Sequence, residues 1–357
     1  MSKVTAVCTV AVLVGAVSTA IIRADQRRPT LAIVMTNDVV TNQIQVYDAA
    51  TSALLQTLST FGRGGVSGNA RGVKELDGEL FAAVNHGSNT VALFRRDGNS
   101  LKFEQLISTS SAPVSIDFGH DHLYVAGATT VDSFVVENRH VGWRDGMVSL
   151  ELVGGGAPPD GSTAQVGVLD HGHALVTLKT DPIPGTVDVV TLNDDGAVTS
   201  LDAVVSAPAG TLTPFGFAAY GDGTAVITLA HSSQDGLFRN GAFVTDIIAG
   251  QVAPCWMTRA GKYVFTANTG SKTISRLVGT GSHIFIDSLV AANIATGGAP
   301  SDIDTSDGVL GVIDHTSTTS HLSLFTYDQV GELTAIGSAI NLGVANANGV
   351  AIMPASK

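Results

Sequence analysis

After residue 30 the chain repeats one pattern of hydrophobic and polar positions seven times. A short apolar run, closed in most copies by a polar residue, appears as AIVMTN from Ala32, LFAAVN from Leu80, LYVAGA from Leu123, ALVTLK from Ala174, AVITLA from Ala225, YVFTAN from Tyr263 and LGVIDH from Leu310. These runs are too short for helices, and their Val, Ile and Phe content between glycine-containing turns predicts strands buried on both faces. They begin 38 to 51 residues apart. A period in the forties built from short strands is the signature of a β-propeller, whose blades stack around a central channel. The expected fold is all-β, a seven-bladed β-propeller forming one domain over residues 30–355.

Each repeat divides into four strands. In blade 2 these are ARGVKEL, LFAAVN, NTVALFRR and KFEQLIS, and in blade 6 PCWMTRA, YVFTAN, KTISRLV and HIFIDSLV. The inner strands begin near Ala70, Pro113, Ala164, Pro214, Pro254 and Pro300. Proline suits a strand's first residue, where its missing N–H removes no ladder bond. The first repeat has no inner strand of its own, whereas the C-terminus carries a spare one in NANGVAIMP. The ring is therefore expected to close by pairing 348–353 with the strands of 32–62, so that the C-terminal segment supplies the inner strand of blade 1 and removes two open sheet edges.

Composition agrees with this architecture and narrows the partners. With 44% apolar and 14% charged residues the chain can fill buried sheets, and its 40 glycines and 11 prolines suit many tight turns. A formal charge of −12 without a compact basic patch argues against a nucleic-acid partner, which requires phosphate neutralisation. A small organic substrate, even an anionic one held by local cations, is the expected partner. Residues 1–24 contain one lysine and then an apolar stretch, resembling a secretory signal. The expected location is secreted or within the secretory pathway, with no stable membrane insertion of the propeller. An N-terminal anchor and a hydrophobic tail on an intracellular protein stand as alternatives. Removal of the segment would take Cys8 and leave Cys255 as the sole cysteine.

Connectivity concentrates candidate chemistry on one rim, because inner strands start where second strands end. Second-strand ends bring Asn37, Asn85, His86, Lys179, His231, Asn268 and His315 to this rim. Inner-strand starts add Arg71, Gln165, Phe215, Trp256, Ser301 and Asp302. His86, His231 and His315 are candidate acid–base groups, since imidazole exchanges protons near neutral pH. The plainer role of each is to cap a strand or bond neighbouring backbone. Arg71 and Lys179 are candidate catalytic cations that could hold a carboxylate or stabilise an enolate. A Schiff-base role for Lys179 is the lesser reading, because nothing in the sequence shows the desolvation that would depress its pKa. Trp256 and Phe215 are candidate walls of a substrate pocket, and Asn37, Asn85, Gln165, Asn268 and Asp302 its polar contacts. Asp302 and Asp304, with Asn268 and Asn37, form an alternative calcium reading; no metal or other cofactor is expected. HGH at 171–173, His120 and His122 fall in hairpins of the opposite rim. No nucleophile elbow, Walker loop or dinucleotide fingerprint is present.

The repeat wording LYVAG, YVFTANTGSKTISRL, VNHGSNTVALF and PCW resembles the seven-bladed lactonase and carboxymuconate-cyclase-like family across roughly residues 30–355, including a fungal secondary-metabolism branch. The resemblance implies sugar-lactone hydrolysis, muconate lactonisation or biosynthetic cyclisation, including hetero-Diels–Alder reactions. Muconate cyclases use histidine, arginine and glutamate around the rim without an essential metal. His86 or His315, and Arg71, resemble parts of that arrangement, but Glu75, Glu79 and Glu137 lie away from the rim. The expected activity is a cofactor-free cyclase or isomerase acting on a small oxygenated metabolite. Lactone hydrolysis is the enzymatic alternative. A non-enzymatic propeller that captures a ligand or protein is the other.

Overall fold

The computed structural model describes residues 28–150, 162–179, 185–280 and 282–355. The N-terminal segment 1–24, the glycine-rich stretch 154–161 and residues 180–184 of the blade 4 loop lie outside the described residues. Seven antiparallel sheets form the predicted seven-bladed propeller. Blade 2 shows the plan, with Val73–Leu76 innermost, then Leu80–Asn85, Thr90–Asp97 and Ser100–Ser108. The inner strands of blades 3 to 7 are Pro113–Gly119, Thr163–Asp170, Pro214–Ala219, Pro254–Ala260 and Ala299–Ser306.

Burial explains the repeated pattern. Every residue of the second strands Leu80–Asn85, Thr224–Leu229 and Tyr263–Asn268 is buried, because both sheet faces meet neighbouring blades. Phe81 and Phe94 of blade 2 pack in one cluster with Ile116 and Leu123 of blade 3. The outer strand Ala242–Ile248 instead alternates exposed and half-buried positions, so it reads as a one-faced strand.

The ring closes as expected. Val350–Met353 pairs antiparallel with Leu31–Met35, placing Ile33 opposite Ala351, and completes blade 1 with Gln43–Asp48 and Leu54–Ser59. Side chains of blade 7 grip the incoming strand as well. Asp302 Oδ2 accepts from the Val350 N–H at 3.2 Å, and Asp304 Oδ2 from the Ile352 N–H at 2.9 Å. These carboxylates therefore hold backbone. Equivalent stitches run between other inner strands. Asp117 accepts from Val168 N–H, and the Gln165 amide both donates to and accepts from Phe217.

A β-bulge recurs where the inner strands begin. Pairing skips between Pro113 and Ser115, Thr163 and Gln165, Pro214 and Phe217, Pro254 and Trp256, and Pro300 and Asp302. A bulge leaves a residue outside the ladder and re-aims its side chain. Gly216 permits the close approach at one of these sites, since a Cβ there would sit 2.4 Å from the Cys255 carbonyl oxygen.

Deleting residues 348–357 removes the closing strand and opens both sheet edges. Urea unfolding followed by circular dichroism should then show loss of the cooperative transition or a large fall in its midpoint. A truncated protein as stable as the full chain would refute the closure as the main constraint.

Candidate active site

One rim of the ring holds a chamber of about 450 Å³ bordered by residues of blades 4, 5 and 6 and by Gly68. Its size falls within the range of small-ligand sites. Lys179, Phe215, His231, Cys255 and Trp256 line it, together with Thr213 and Thr269. The ladder skips Phe215 and Gly216 in blade 5 and Cys255 in blade 6, and of these Phe215 and Cys255 border the chamber. Phe215 meets Trp256 edge-on, with ring centroids 5.3 Å apart, and Trp256 Nε1 donates to the Asn69 carbonyl at 2.8 Å. That geometry gives the chamber a firm aromatic wall.

Lys179 follows the second strand His173–Leu178, and its backbone N–H donates to Ser162 O. Its ammonium donates to Ser67 O at 3.0 Å and to Gly68 O, and stands 5.6 Å from the centre of the Phe215 ring. Gly68 leaves it room: the residue has φ +56°, and a Cβ there would lie 2.7 Å from Nζ. Burial lowers the Lys179 pKa to about 8, opposed by the nearby Cys255. The fold thus supplies the desolvation that the sequence did not show for this lysine. Burial pushes the Cys255 thiol up to about 11, so it stays protonated near neutral pH and is a poor nucleophile. His231 occupies the exposed lip, in the short turn Ala230–Ser232.

A second recess of about 520 Å³ adjoins the chamber and shares Gly68 and Trp256 with it. Asn37, Ser301, His315 and Asn348 are among its walls. His315 Nδ1 lies 3.0 Å from Ala345 O and 2.9 Å from Ser320 Oγ. Asn37 has its amide committed to the backbone of Gly65 and Val66, and so shapes the loop that separates the two spaces.

The structure therefore gathers Lys179, His231, Phe215 and Trp256 in one chamber, with Asn37 and His315 beside it. The other candidates lie elsewhere. His86 Nδ1 is 3.1 Å from Pro113 O and ties its turn to blade 3. Arg71 lies 3.9 Å from Asp117, and its carbonyl accepts from Ile116 N–H. Asn85 bonds Thr60 and Asn42, and Asn268 donates to Thr273 and Ser275. Gln165 and Asp302 are 0% and 1% exposed and serve the inter-blade stitches. Burial also pushes the Asp302 carboxyl up to about 7, against two backbone N–H bonds. Sequence reading passed over Thr213, Thr269 and Asn348 as lining residues, because no motif marks a bulge or a mouth.

No known family model matches the chain, and no curated protein matches it. Solved structures do. A periplasmic gluconolactonase of Pseudomonas aeruginosa aligns over 91% of this chain and 99% of its own, at 14% identity and a TM-score of 0.63. A proposed 6-phosphogluconolactonase of Bacteroides fragilis covers 92% and 99%, at 12% identity and a TM-score of 0.64. The virginiamycin B lyase of Staphylococcus aureus covers 80% and 92%, at 13% identity and a TM-score of 0.53. The likeness bears on the fold alone, a seven-bladed propeller. The comparisons lend no support to a fungal secondary-metabolism branch.

Acylation of Lys179, followed by peptide mass spectrometry between pH 6 and 10, should be half-maximal near pH 8. Because folding favours the neutral amine, stability should rise with pH from about 8 toward the ordinary lysine value of 10.5. Lys179→Met should abolish that rise. A labelling midpoint at the ordinary lysine value would show that the chamber is fully hydrated around Nζ.

Proposed function

We propose that this protein hydrolyses a small lactone with a largely apolar body, bound in the chamber of Lys179 and His231. The observation that carries the reading is the convergence of a cation, an imidazole and two aromatic walls on one cavity. Lactonase-type propellers among the structural neighbours favour hydrolysis over the cyclisation first expected from sequence. In the proposed reaction the lactone ring rests against Phe215 and Trp256, with its carbonyl oxygen toward Lys179. His231 takes a proton from water as the water oxygen bonds to the carbonyl carbon. The ammonium stabilises the resulting oxyanion, which a low-dielectric wall makes more effective. Collapse of the tetrahedral adduct breaks the ring C–O bond, and the imidazolium returns its proton to the leaving alkoxide. The product is a hydroxy acid.

Turnover of a panel of five- and six-membered alkyl lactones in ¹⁸O-labelled water tests this directly. Hydrolysis places one labelled oxygen in the product carboxylate, whereas cyclisation of an open precursor incorporates none. His231→Ala and Lys179→Met should each reduce kcat by about 100-fold, the scale of one acid–base group or one oxyanion donor. Activity should fall as pH rises through about 8, where Lys179 loses its proton. Lys179→Arg should remove that alkaline limb. Unchanged turnover in both the His231→Ala and Lys179→Met proteins would overturn the assignment.

A further inference from the structure

We infer that Lys179 is also a nucleophile, and that the chamber captures small apolar aldehydes as imines on its Nζ. The surroundings of the amine carry this. Lys179 shares the chamber with Phe215, Ala230, Ala253, Cys255 and Trp256, a space of about 450 Å³ with room for a short hydrocarbon chain. Among the described residues, no Asp or Glu borders it. The contacts of Nζ are backbone carbonyls instead: it donates to Ser67 O at 3.0 Å and to Gly68 O. A neutral amine has two N–H groups and one lone pair. The two carbonyl oxygens accept both N–H groups and, having no proton to donate, leave the lone pair unused. It is left to the chamber, where the centre of the Phe215 ring stands 5.6 Å from Nζ.

Burial draws the Lys179 pKa down to about 8, so about a tenth of it is neutral amine at pH 7. That form adds to carbonyl groups. Cys255, pushed up to about 11, stays a thiol and competes poorly. In the step, the Nζ lone pair bonds to the carbonyl carbon while the π pair of C=O moves to oxygen. A proton passes from nitrogen to that oxygen, giving a carbinolamine. A second proton, drawn from solvent, lets the oxygen leave as water while the nitrogen pair closes the C=N bond. Loss of the remaining N–H proton gives the imine. Water reverses the sequence, so no oxidant or reductant is consumed. The lining sets the class of carbonyl compound. An oxo acid would bury its carboxylate beside Phe215 and Trp256, at a cost. Among the described residues, the one lysine or arginine bordering the chamber is the amine that must lose its charge to react. The inference goes beyond the hydrolysis reading and does not rest on it, because it uses the other protonation state of the same side chain.

Hexanal with sodium cyanoborohydride at neutral pH tests this, because the hydride fixes the protonated imine as a stable hexylamine. Peptide mass spectrometry should find Lys179 hexylated about tenfold faster than Lys102, whose side chain is 71% exposed. A hemithioacetal at Cys255 has no C=N bond to reduce, so a retained hexyl group reports the amine. 1-Hexanol, which offers the same chain without a carbonyl, should slow labelling of Lys179 and leave Lys102 unchanged. Glyoxylate, an aldehyde carrying a carboxylate, should show a preference for Lys179 over Lys102 about tenfold smaller than that of hexanal. Lys179→Met should lose its adduct and keep that of Lys102, and localisation in the native protein decides the matter where the variant does not fold. Hexylation of Lys179 no faster than that of Lys102, labelling indifferent to 1-hexanol, or an equal preference with glyoxylate would overturn the inference. Lactone turnover without the Lys179 adduct would sink this inference alone, and the adduct without turnover would sink only the hydrolysis reading.

Discussion

The last strand, Val350–Met353, is held from two directions at once. Its ladder to Leu31–Met35 supplies the inner strand of blade 1, and Asp302 and Asp304 of blade 7 accept two of its other N–H groups. A ring left open would expose one unpaired strand and one unstitched inner edge, both costly for buried backbone. Closure also builds the mouth. Ala345–Asn348 lead directly into the closing strand, and they form one side of the recess where His315 bonds Ala345 O. Stability and ligand architecture therefore share one segment of chain.

The inner strands divide their polar residues between two tasks. Those in ladder register, such as Asp117, Gln165, Asp302 and Asp304, reach sideways and satisfy the backbone of the next blade. Those displaced by a bulge, such as Cys255 and Ser301, border the mouth instead. One repeated backbone irregularity thus separates side chains that hold the ring from side chains available to a ligand. It also leaves the chamber lined by groups with low hydration, which is why Lys179 and Cys255 depart from their ordinary ionisation in the directions burial dictates.

Similar propellers include a gluconolactonase and a virginiamycin B lyase, so the ring itself does not select a reaction. Selection falls to the few residues at the mouth. In this chain the charged candidate, Lys179, sits among aromatic and small residues, while the neighbouring recess is polar and lined by His315 without Asp, Glu, Lys or Arg. An apolar space joined to a hydrogen-bonding space makes its own demand on a ligand, one part wanting hydrocarbon and the other polar groups.

The number of blades, their four-strand plan and the closing strand were all legible in the sequence, because buried second strands impose a repeated apolar run and an unmatched terminal strand must find a partner. The rim bearing His231, His315 and Lys179 was legible for the same reason: strand direction follows from connectivity. The sequence could not separate His86 from His231, since both end equivalent runs, and only packing shows one bonded to the next blade and the other at a chamber lip. Nor could alternation along SDID reveal that Ser301 would border the mouth while Asp302 turned to Val350. That choice depends on a bulge in the pairing of the inner strand with its neighbour, which strand alternation alone does not place. The lowered pKa of Lys179 likewise belongs to the tertiary structure, because desolvation arises from residues brought together from blades distant in the chain.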